Sequence, residues 1–94
     1  MDTDLVGRTA LSIAGRDKGR NFIIVGAPDP QHVWVVDGTL RKLDNPKKKK
    51  LKHIRFYDIT AEGIKEKING KKPVFDAEIR KYLLNTFLVE SKEE

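Results

Sequence analysis

The run Gly15-Arg16-Asp17-Lys18-Gly19-Arg20 holds the most chemistry in this chain: two glycines four residues apart, with cations between and beside them. Glycine takes positive φ at little steric cost, so the pair lets the chain reverse tightly between two strand-like segments. Arg16, Lys18 and Arg20 would then face solvent at a hairpin tip shaped by Gly15, Asp17 and Gly19, a geometry suited to phosphate oxygens. The same residue types also build ordinary polar turns. The flanking residues have to decide between the two.

A second concentration of charge lies farther along. Residues 1–40 hold 4 Lys or Arg against 5 Asp or Glu, and residues 56–94 hold 7 against 8, so each stretch is −1. Residues 41–55 carry Arg41, Lys42, Lys47, Lys48, Lys49, Lys50, Lys52 and Arg55 against the single Asp44, giving +7 of the net +5. A compact block of one sign between nearly neutral flanks is the electrostatic footprint of a polyanion-binding protein. Like charges in sequence repel one another and gain nothing structurally, so the four consecutive lysines read as a flexible arm that neutralises phosphates and releases counterions. His53, beside Lys52, would reach a phosphate, and its protonation would strengthen binding as pH falls through neutrality. Trp34 and Tyr57 are the aromatic candidates for base stacking, although a lone tryptophan in a small domain is more often a core residue.

Other chemistry has no footing. Gly-x-Ser-x-Gly, a phosphate-binding loop ending in Gly-Lys-Ser or Gly-Lys-Thr, and His-Glu-x-x-His are all missing, and Asp17, Asp29, Asp37 and Asp44 stand singly in turn-like segments. With no cysteine, disulfides, thiolate zinc sites and cysteine nucleophiles are excluded, and two histidines far from carboxylate clusters offer no metal site. A binding protein with no cofactor and no small-molecule substrate is the expectation. No apolar run approaches a membrane span and none follows the acidic Met1-Asp2-Thr3-Asp4, so the default location is the cytoplasm, away from membranes.

These groups need a scaffold, and 94 residues suffice for one small domain. Residues 6–14, 21–25 and 32–36 read as strands, and the breaker-rich Gly26-Ala27-Pro28-Asp29-Pro30-Gln31 as an exposed connection. Asp37-Gly38 implies a tight turn into a short strand over 39–43, and 51–57 alternates with Ile54 and Phe56 on one face. The period then changes. Thr60 would cap a helix over 61–69 that stops at Gly70, and Asp76 a second helix through Leu88, whose stripe of Ile79, Tyr82, Leu83 and Phe87 should pack on the strands. Residues 90–94 should fray. The fold class is mostly β with C-terminal helices: four to five short strands in a small, strongly bent barrel plus two short helices.

Gly7-Arg8, the alternating Leu11 and Ile13, Gly15-x-Asp17-x-Gly19-Arg20, Phe22-Ile23-Ile24-Val25 and Val35-Val36-Asp37-Gly38 together resemble the KOW motif. Phe22 stands where many such motifs carry a third glycine. With Leu40-Arg41-Lys42, Asn45-Pro46-Lys47 and Lys52-His53, the chain looks most like short bacterial KOW-domain RNA-binding proteins related to archaeal and eukaryotic large-subunit ribosomal proteins. The resemblance implies an SH3-like barrel over residues 5–57, with a basic loop at 41–55 and a helical extension at 58–90. It also implies a partner: structured RNA, ribosomal RNA foremost, in a translation setting. KOW domains also bind proteins, so docking on a ribosomal or transcription component through the helical stripe or an exposed Trp34 is the alternative.

Overall fold

The computed structural model describes residues 5–88, Leu88 through its backbone alone. The fraying expected at 90–94 and the acidic stretch at 1–4 lie outside the described residues. Five strands form one antiparallel sheet: β1 (Arg8–Ser12), β2 (Asn21–Asp29), β3 (His32–Val36), β4 (Lys47–Lys50) and β5 (Ile54–Thr60), in the order β4-β3-β2-β1-β5. Two helices follow, α1 (Glu62–Asn69) and α2 (Asp76–Leu83), the second running into a π-helical turn at Leu84–Leu88.

The sheet must curl. Its edges β4 and β5 are consecutive in the chain, joined only by a 3-10 turn at Leu51–His53. Four strand spacings of about 4.8 Å would hold the edges of a flat sheet about 19 Å apart, whereas three linking residues reach at most about 14 Å between flanking Cα atoms. No ladder joins β4 to β5 among the described residues, so the seam is open and the curvature is compatible with a small barrel.

Apolar side chains fill both faces of β2 and β3. Phe22, Ile24, Val33 and Val35 point inward with Ala10 and Ile54, and Leu5, Leu51 and Phe56 complete that core. Ile23 and Val36 point outward, where Ala61, Ile64, Ile79 and Leu83 cover them. The helices therefore close a second core on the outer face of the sheet, and burying each such large side chain contributes about 1.5–3 kcal/mol. The stripe expected on α2 packs as anticipated, with Tyr82 and Phe87 partly buried beside Ile79 and Leu83.

Several local expectations are corrected. The breaker tract is not a loop: β2 runs through Asp29, and only Pro30 and Gln31 make the turn, with the Gln31 N–H donating to Asp29 Oδ1 at 2.8 Å. Register shifts on either side of Gly26 take Pro28 out of the regular ladder, where its missing N–H costs nothing. The segment 39–43 forms no strand, because Asp37 Oδ1 accepts the N–H groups of both Thr39 and Arg41 and folds it into a tight loop. The lysine run is itself a strand, paired with β3 throughout, so the basic segment 41–55 is loop, strand, turn and strand in succession. β5 extends through Thr60, which pairs with Arg8, leaving Ala61 as the N-cap of α1 without a side-chain bond. Asp76 opens α2 from inside the helix, and its Oδ1 accepts the Leu43 N–H instead.

Candidate nucleic-acid interface

Gly15 and Gly19 both adopt positive φ, +82° and +92°, so the hairpin tip forms as its glycines require. The Arg20 N–H donates to the Asp17 carbonyl at 2.9 Å and the Lys18 N–H to Gly15 at 3.2 Å, closing the turn. Arg16 and Lys18 stand in solvent, while Asp17 turns inward and is buried.

Two arginines are committed to carboxylates. Arg41 Nη2 lies 3.5 Å from Asp17 Oδ2, and Arg20 Nη1 lies 3.4 Å from Asp37 Oδ2. The Arg41–Asp17 pair ties the loop to the tip, and Arg41 Nε is buried without a hydrogen-bond partner among the described residues. The tip and the start of the basic segment, 21 positions apart at Arg20 and Arg41, are thus brought together.

Pairing with β3 splits the lysine run by alternation. Lys49 opposes the buried Val33 and shares its inward face; it is only 6% exposed, and its Nζ donates to the Ala14 carbonyl at 2.9 Å. It braces β4 against the base of the tip and is not available to a phosphate. Lys48 and Lys50 oppose Trp34 and His32 on the outer face and are exposed; Lys47, opposite Val35, is half-buried. Lys42 and Arg55 are exposed, and Lys52 lines a cleft of about 390 Å³ with Pro30, Gln31, His32, Lys50 and Leu51. Of the twelve cations and histidines expected at the site, Lys49 is removed and Arg20 and Arg41 become partly structural.

The aromatic expectations also divide. Tyr57 donates its hydroxyl to Asn21 Oδ1 at 2.6 Å and its ring lies 4.7 Å from that of Phe87, so it is a packing residue. Trp34 belongs to neither core; it is partly exposed on the outer face, because the register puts Val33 and Val35 inside. Arg80, which sequence reasoning passed over, donates from Nη1 to the Gly38 carbonyl at 2.8 Å and joins Arg20 around a cleft of about 420 Å³ beside α2. It lies in a stretch of balanced charge, where nothing in the sequence singles it out.

His53 departs from expectation in its titration. Desolvation first, then the charges of Lys50, Lys52 and Lys49, hold its ring below the ordinary 6.5, so it is neutral at neutral pH. Because the native state disfavours the charged form, protonation costs stability as pH falls below the unfolded value, and any phosphate contact strengthens only in that acid range. Phosphate-ligand affinity should be nearly flat through neutral pH and rise only as the medium becomes acidic. An identical profile for His53→Ala would remove the residue from the interface. At the far side of the outer face, His32 Nδ1 lies 2.8 Å from Asp29 Oδ1; that bond, with the Gln31 N–H second, holds the Asp29 carboxyl below its ordinary value.

Among the described residues, no three His, Cys, Asp or Glu side chains form a metal-binding group, and no helix is long and apolar enough to cross a membrane. Comparison with known proteins finds no family model that matches the chain and no curated sequence with significant similarity to it.

Proposed function

We propose that this chain is a non-catalytic, KOW-type RNA-binding protein that contacts structured RNA, ribosomal RNA foremost, through backbone phosphates and shape, and works beside the ribosome in the cytoplasm. One observation carries the reading. Lys48 and Lys50 project side by side from a hydrogen-bonded strand, with Arg16 and Lys18 on a glycine-framed tip, and no salt bridge joins any of the four to a carboxylate among the described residues. Cations fixed by backbone pairing keep their spacing, which lets a protein read the regular array of phosphates on a folded RNA. At the tip, Asp17 and Asp37 are turned inward onto Arg41 and Arg20; near Lys48, Asp29 is paired with His32.

The rival reading, docking on a ribosomal or transcription protein through the helical stripe or Trp34, keeps the partly exposed Trp34 but not Ile79 and Leu83, which are buried against the sheet. Binding to a structured ribosomal RNA fragment and to duplex DNA of equal length, each across a salt series, tests the proposal. Preference for RNA that persists as salt rises is the expected result. Equal, salt-labile binding to both would reduce the lysines to generic charge and end the shape-reading proposal.

A further inference from the structure

The outer face of β3 carries His32 at one end and the apolar Trp34 and Val36 beyond it, and the helical core covers only the Val36 end. His32, Trp34 and Val36 point outward in turn; Val36 is fully buried under the second core, whereas Trp34, two residues away, lies outside that core and remains partly exposed. Gly26 is its neighbour on β2, and a Cβ built there would lie 3.4 Å from Trp34 Cδ1 with no other atom within 4 Å. With no side chain at Gly26, that residue does not cover the Cδ1 side of the indole. On the other flank, Lys48 is the direct cross-strand partner of Trp34, and Lys50 follows opposite His32.

We propose that Trp34 is a stacking platform for an unpaired RNA base, with Lys48 and Lys50 holding the phosphates on either side of that nucleotide. The inference rests on the RNA-binding reading and adds the class of nucleotide taken and the residue that takes it. Charge complementarity selects this occupant. An indole face accepts any base, and two exposed ammonium groups along one strand, two residues or about 7 Å apart, match the spacing of successive phosphates in an extended strand. A base held inside a duplex is stacked on its neighbours and cannot reach the ring. The surface therefore takes loops, bulges or single-stranded ends, while the hairpin tip holds the flanking backbone.

Trp34 is the chain's single tryptophan, so its fluorescence reports on this face alone. The full chain is titrated with a single-stranded oligoadenylate of about ten nucleotides and with a duplex RNA of the same length. The single strand should quench Trp34 saturably and the duplex should not. Trp34→Leu, with its fold checked by circular dichroism, should weaken single-strand binding by about 5- to 150-fold, the loss expected for one stacked base, and leave duplex binding unchanged. Gly26→Val keeps the tryptophan but covers the Cδ1 side of its ring, and it should abolish quenching and weaken the single strand alone, which tests the proposal even if Trp34→Leu fails to fold. RNA binding without quenching, and unaffected by Gly26→Val, overturns the platform and leaves the phosphate-contact reading standing. Failure to bind either RNA overturns both.

Discussion

Replacing Arg16, Lys18, Lys48 and Lys50 together by alanine is expected to lower the slope of log affinity against log salt by about 3, since each phosphate contact contributes about 0.7–0.9. Between about 50 and 200 mM salt, the unaltered protein should lose roughly 60-fold more affinity than the variant. The effect should be large because all four side chains are exposed, none is in a salt bridge among the described residues, Lys48 and Lys50 sit on a paired strand, and Arg16 and Lys18 lie in the turn closed by the Lys18 N–H to Gly15 bond. Arg16, Lys18 and Lys50 can give their charge to a ligand, and Lys48 shares part of its field with Asp29. Folding should be nearly untouched, as removing exposed like charges relieves repulsion. Lys49→Met supplies the contrast. Its ammonium donates to the Ala14 carbonyl, so the salt slope should stay as it is; that oxygen still accepts from the Ser12 hydroxyl at 3.1 Å, so stability should fall by only about 0.5–1.5 kcal/mol, the net worth of one hydrogen bond. If the quadruple variant keeps the original slope, the surface is not a phosphate interface. If Lys49→Met lowers it, the division of the lysine run by strand alternation is wrong.

Gly38→Ala should be among the most damaging single substitutions. Gly38 has φ +81°, and a Cβ there would lie 2.6 Å from the Asp76 carbonyl oxygen, 2.9 Å from Arg80 Cγ and 3.0 Å from Arg80 N. Two of those atoms are helix backbone, which cannot move aside without lifting α2 from the sheet. Left-handed backbone costs an alanine about 1–2 kcal/mol, and forced overpacking about 1–3 more, so a loss of about 2–5 kcal/mol is expected in denaturant titration. Gly19→Ala separates the two causes. Its φ is +92° with nothing within 4 Å of the built Cβ, so only the conformational part should appear. Equal losses at the two positions would show that close approach of α2 contributes nothing.

Gly38 also shows how far the sequence can be read. Asp37-Gly38 marks a turn from its residue types alone, but the reason only glycine fits is the start of α2, which arrives from 38 positions later at Asp76. Much else was local and legible. The strands at 32–36 and near 8–12 and 21–25, the turn glycines at 15 and 19, the two helices and the apolar stripe on α2 follow from alternation, backbone freedom and 3.6-residue periodicity. The breaker-rich tract at 26–31 misled because bulges let a strand carry proline where no ladder bond is made, and bulge positions depend on the partner strand.

What the sequence determined by itself was composition in space: a mostly β domain with C-terminal helices, a cationic tip between two glycines and a block of +7 at residues 41–55. Which of those cations face solvent was decided by tertiary structure. Four lysines in a row have no periodicity, so nothing in Lys47–Lys50 distinguishes Lys49 from Lys48; only pairing with β3, which sets the Val33 face inside, buries one and displays the other. The same register turned Trp34 outward and Val35 inward from a strand that is apolar on both sides. Register is a relation between strands distant in sequence, settled by which face the rest of the chain can bury, and no single segment carries that information.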